Sequence, residues 1–104
     1  MRLDLSKNQI GDEGFKLIAE VIGFQYGHNS LSRSLKILNL SDNQIRSYGI
    51  EFYCKNMFNS NALTELYLAN NNLSKGEQFF NFKYYITKNW TLKKLDFSNC
   101  FTDL

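Results

Sequence analysis

The chain has 104 residues, 43% of them hydrophobic, enough for one small domain with a buried core. Its net charge of +2 is too small for a nucleic-acid or membrane-surface binder, because such domains concentrate basic charge. No stretch approaches the ~18 apolar residues that span a bilayer, and with no proline nothing marks a linker.

In chain order, the first element is Leu3-Asp4-Leu5-Ser6-Lys7-Asn8-Gln9-Ile10. Leucine alternates with a polar residue, which is strand periodicity with every second side chain turned to the core. A helix is expected next, N-capped by Asp12, with Gly14 two residues on and Ile18 and Ile22 on its inner face. Gly23 to Ser34 is a Gly- and Ser-rich insertion holding the single histidine, His28. Leu35 opens the second unit, Leu38-Asn39-Leu40-Ser41-Asp42-Asn43-Gln44-Ile45. Its helix is capped by Ser47, with Gly49 two residues later and Tyr53 and Met57 inward. Leu63 opens the third, Leu66-Tyr67-Leu68-Ala69-Asn70-Asn71-Asn72-Leu73. There Ser74 and Glu77 form a capping box, Gly76 follows the cap, and Phe80 and Tyr84 face inward. Leu92 opens an altered fourth strand, Leu95-Asp96-Phe97-Ser98-Asn99-Cys100-Phe101-Thr102.

Asn8, Asn43, Asn71 and Cys100 mark one phase, separated by 35, 28 and 29 residues. Fixed self-similarity of this length signals a solenoid. Strand, helix, strand at this spacing implies a parallel sheet with right-handed crossovers. The Asn column has a structural explanation. The backbone turns inward after each strand, and an amide side chain supplies the donors and the acceptor that the buried turn lacks.

These motifs resemble the ribonuclease-inhibitor-like leucine-rich repeats, whose units of about 28 residues each carry a full helix. Cys100 fits too, since that subclass accepts Asn or Cys at the phase position. The resemblance covers nearly the whole chain. It implies an α/β right-handed solenoid, a short horseshoe segment with a parallel concave sheet and convex helices. A single domain over 1–104 is expected, divided as 1–34, 35–62, 63–91 and 92–104. Protein binding is the role the resemblance implies.

Reactive chemistry is not expected. His28 has no Cys or carboxylate at metal-ligand spacing and no serine nucleophile around it, and no phosphate-binding glycine loop is present. The reading is therefore not an enzyme, with no catalytic residue, metal or cofactor. Without an apolar run in Met1–Ser6, Cys54 and Cys100 read as reduced thiols of a cytoplasmic protein, the nucleus being the alternative to the cytoplasm; secretion is not expected.

The residues between the core leucines form columns on the concave sheet: Arg2, Ile37, Glu65 and Lys94, then Asp4, Asn39, Tyr67 and Asp96. Beyond them lie Lys7, Asp42, Asn70 and Asn99. Mixed charge favours a protein partner over nucleic acid or membrane. The candidate contact residues are Ile37, Asn39, Asp42, Glu65, Tyr67, Asn70, Lys94 and Asp96. Tyr67 is the expected anchor, and Glu65 is placed to pair with Lys94. On the convex side, Phe82 and Tyr85 fall off the inner face if Phe80 and Tyr84 point inward. They then either touch a partner or are covered by the adjoining connection. The motif runs to both edges without a polar cap, so packing against other subunits or further repeats is expected at both ends. A scaffold in a larger cytoplasmic assembly is the leading reading, with a cytoskeletal or ciliary complex as its setting. The alternative is a regulator of an enzyme, such as a nuclease or small GTPase, bound through the concave face.

Overall fold

Alternating leucines build four three-residue strands, β1 (Arg2–Asp4), β2 (Ile37–Asn39), β3 (Glu65–Tyr67) and β4 (Lys94–Asp96), with helices α1 (Gly11–Ile22) and α2 (Ser47–Met57) between the first three. The computed structural model describes residues 1–22, 34–57, 63–73, 84–85 and 91–100. The strands form one parallel sheet in sequential order. Its register sets Arg2, Ile37, Glu65 and Lys94 in one row and Asp4, Asn39, Tyr67 and Asp96 in another. Both columns expected from the alternation are therefore present. Pairing continues past the strands: Lys7 N–H donates to Ser41 O, Asp42 N–H to Ala69 O and Asn70 N–H to Ser98 O, each at 2.9 Å.

Leu38, Leu40, Leu66 and Leu68 are fully buried, and Leu3, Leu5, Leu92 and Leu95 pack half-buried at the flanks. The helices close the same core. From α1 come Phe15, Ala19 and Ile22, with Ile18 half-buried; from α2 come Ile50, Tyr53 and Cys54. An aromatic column ties successive units together. Phe15 stacks on Tyr53 with centroids 5.0 Å apart, Tyr53 meets Tyr85 edge-on at 5.3 Å, and the two hydroxyls hydrogen-bond at 3.0 Å. Burial raises both phenol pKa values and holds the Cys54 thiol up at about 12.

Two expectations are corrected here. Tyr85 is buried at 1% exposure while Tyr84 is 54% exposed, so the inner face of that segment carries Tyr85 and not Tyr84. The reason is the hydrogen bond to Tyr53, which gives the Tyr85 hydroxyl a partner inside the core. Tyr85 is thus no convex contact residue; Phe82 lies outside the described residues, as do Phe80, His28 and the capping box of Ser74 and Glu77. The helix starts also differ. Ile50 N–H donates to Arg46 O, which puts Arg46 at the N-cap position, and Gly14 N–H donates to Ile10 O, so α1 is already under way at Asp12. Asp12 caps its neighbour instead: its Oδ1 accepts the Arg46 N–H at 2.6 Å, across 34 residues. A Cβ on Gly49 would sit 2.6 Å from that Oδ1 and 3.1 Å from the Asp12 Cα, so glycine is what lets α2 approach.

Candidate functional site

After each strand the chain must reverse within a few residues, and the turn leaves backbone amides and carbonyls away from water. Asn43 and Asn71 satisfy them from inside. The Asn43 Oδ1 accepts the N–H groups of Asn8 at 3.2 Å and Ile10 at 3.3 Å, while its Nδ2 donates to Leu5 O at 2.9 Å and to Leu40 O and Ser41 O, both at 3.1 Å. Asn71 repeats this one unit on. It accepts from Asn43 and Ile45 and donates to Leu40 O, Leu68 O and Ala69 O. Cys100 closes the column with its thiol donating to Leu68 O at 3.0 Å. Burial pushes that thiol pKa up, against the opposing pull of the Asn71 N–H. Each side chain thus stitches two successive units, and among the described residues no buried side-chain nitrogen or oxygen lacks a partner. This column is structural and carries no free chemistry.

The residue just before each phase marker behaves differently. Lys7, Asp42, Asn70 and Asn99 all take left-handed backbone, with φ between 59° and 61°. That conformation disfavours branched or bulky residues and is tolerated best by glycine and, among residues with a side chain, by Asn and Asp. The turn therefore holds these side chains at the strand ends, where Asn99 Nδ2 donates to Asn70 Oδ1 at 2.9 Å and Asn70 Nδ2 to Asp42 Oδ2 at 3.3 Å.

On the sheet face, three of the four units share a local device. Asp4 accepts Ser6 N–H and O–H, Asn39 accepts Ser41 N–H, and Asp96 accepts Ser98 N–H and O–H. These bonds hold the Asp4 and Asp96 pKa values below the ordinary carboxylate value. In the third unit the pair becomes Tyr67 and Ala69, and the device is lost. The aromatic ring then occupies the middle of the row. Tyr67 donates its hydroxyl to Glu65 Oε1 at 2.5 Å, and Lys94 Nζ lies 5.6 Å from the ring centroid. Hydrogen bonding to Tyr67, assisted by its charge and that of Glu65, raises the Lys94 pKa. No direct Glu65–Lys94 ion pair forms among the described residues; Tyr67 stands between the two and relays the contact. The coupled change at positions 67 and 69 was visible in the repeat columns. It is the signal that sets this unit apart.

Ile37, Asn39, Glu65, Tyr67 and Asp96 are half-buried on this face and Lys94 is exposed. The sheet brings these residues together, while Asp42 and Asn70 belong to the flank at the strand ends. Three His, Cys, Asp or Glu side chains nowhere converge as a metal cluster among the described residues. Cys54 and Cys100 are buried free thiols.

The leucine-rich pattern behind this parallel sheet is matched by sequence comparison as well. Two leucine-rich repeat profiles match, one over residues 1–19 and 31–52 and the other over residues 62–82. The chain belongs to the leucine-rich repeat proteins. No curated protein and no solved structure matches significantly. Leucine-rich repeats are typically non-enzymatic modules that mediate contacts between proteins. No described helix of this repeat protein is long and apolar enough to cross a membrane.

Proposed function

We propose that this leucine-rich repeat chain, of the ribonuclease-inhibitor-like subclass, is a cytoplasmic scaffold module that binds a protein partner through the open face of its sheet. One observation carries the reading. Tyr67 replaces the Asx–Ser device of the other units and presents a half-buried ring between Glu65 and Lys94. Tyrosine is enriched at the centres of protein interfaces, and here its hydroxyl is held in place by Glu65 with Lys94 over the ring. Ile37, Asn39 and Asp96 surround it as the rim. Packing within a larger assembly, cytoskeletal or ciliary, is part of the same proposal. Its support is the exposed aliphatic pair on α1, Leu17 and Val21, which a neighbouring subunit would cover.

Affinity capture from cell extract tests the sheet face. Tyr67→Ala and Lys94→Glu are expected to lose the specifically captured proteins about tenfold or more, the scale of a hot-spot truncation, while Tyr84→Ser on the helical side retains them. Loss through Tyr84→Ser with retention by both sheet variants overturns the assignment.

A further inference from the structure

The strand ends carry a second feature, independent of Tyr67. Asp42, Gln44, Arg46, Asn70, Asn72 and Asn99 line an open cleft of about 460 Å³ floored by the buried side chains of Ile45 and Asn71. That volume is in the range of ligand clefts, roughly 300–1,000 Å³. Its lining is not. Ligand clefts are mostly apolar, whereas here Ile45 is the single hydrophobic residue. The residues around the rim are polar, so polar groups set what the cleft can recognise.

The polar groups also have a direction. Asn99 donates to Asn70, and Asn70 donates to Asp42 Oδ2, so two amides in series point their hydrogens towards one carboxylate. The Asp42 Oδ1 and the Asn99 Oδ1 have no partner among the described residues, and Asp42 and Arg46 make no ion pair there although they line the same cleft. Opposite charges held apart beside one another suit a ligand carrying both signs. Beside this pair, the chain of amides running from Asp42 through Asn70 to Asn99 offers donors and acceptors at intervals set by the sheet, roughly 4.8 Å per unit. A nucleic-acid strand meets one arginine beside a carboxylate, which repels phosphate. A sugar finds no aromatic ring to stack on. What remains is a peptide, whose backbone matches amide side chains and whose residues supply both charges.

We propose that this cleft binds an extended polar segment of a protein partner, with a basic side chain on Asp42, an acidic one on Arg46 and the peptide backbone against Asn70 and Asn99. The proposal rests on the reading of the chain as a protein-binding module, and it uses a surface separate from the Glu65–Tyr67–Lys94 patch.

A phage-displayed library of random 12-residue peptides, selected on the full chain, tests it. The variants are Asp42→Asn, Arg46→Gln and Asn70→Gly, the last removing the amide while keeping a residue at ease in left-handed backbone. Circular dichroism confirms that each folds. The expected outcome is enrichment of peptides bearing one basic and one acidic residue, with binding weakened about tenfold or more by each charge variant, by Asn70→Gly in the same direction, and unchanged by Tyr67→Ala. Peptides that survive the cleft variants but fail on Tyr67→Ala overturn the cleft and leave the sheet-face reading standing. Failure to enrich any peptide, or enrichment without both charges, also overturns it.

Discussion

Asn70 and Asn71 are adjacent residues of the same type with opposite fates. Asn71 is 4% exposed, and its amide is consumed by five backbone groups of two successive units. Asn70 is exposed, sits in left-handed backbone, and uses its amide on other side chains at the surface. The same contrast separates Asn43 from Asp42. A one-residue step along a tight turn converts a side chain from an internal brace into part of a lining. Residue type alone therefore does not assign a role in this repeat; the phase within the unit does.

The sharpest way to break that contrast is to truncate its inner member. Asn43→Ala should destabilise the fold by about 1–3 kcal/mol, because the amides of Asn8 and Ile10 and the carbonyls of Leu5 and Leu40 lose their partner. A urea unfolding curve checks it, and an unmoved midpoint would show that the column is not a brace. A smaller effect is expected from pH. Burial raises the Cys100 pKa in the folded state above its ordinary 9.0, so the unfolded chain releases that proton first. Stability is then full below pH 9.0 and falls as pH rises beyond it, with Cys54 adding to the same slope. Cys100→Asn should flatten part of the decline in thermal midpoint; an unchanged slope would detach Cys100 from the column. Smaller again is Lys7→Gly on the outer column. Lysine at φ 61° is strained, so glycine should stabilise by about 0.5–1 kcal/mol, read as a raised melting temperature. The smallest change is Asn70→Gly, which should stay within about 0.5 kcal/mol of wild type by the same urea assay. A loss as large as that of Asn43→Ala would erase the distinction between the columns.

Much of this architecture was legible in the residues themselves. Period-two alternation fixed which leucines turn inward, and the phase markers fixed which residues become neighbours across the sheet, because a parallel register admits no other alignment once the turns coincide. The interior role of the Asn column was equally readable, since a buried turn has few ways to satisfy its amides. What escaped depends on contacts distant in sequence. Asp12 looks like the cap of its own helix, yet its carboxylate is drawn to Arg46 in the next unit. Tyr85 looked exposed by helical stepping from Ser74, but a hydroxyl partner on Tyr53 turns it inward. Glu65 and Lys94 are aligned for a direct pair, and the ring of Tyr67 intervenes. Of the cleft residues, Asp42, Asn70 and Asn99 are readable as a column, whereas their one-way hydrogen bonding and the placing of Arg46 beside them are invisible in the string of letters.

The borrowed cap at Arg46 bears on how the molecule assembles. A helix start normally completes itself from residues within one turn, so it can form on its own. Here the acceptor comes from 34 residues earlier and reaches α2 only through the gap left by Gly49. The second helix therefore finishes its first turn only when the preceding unit is already folded beside it. Each of these two units is thus completed by the other, and stability is shared across their junction instead of residing in a single repeat.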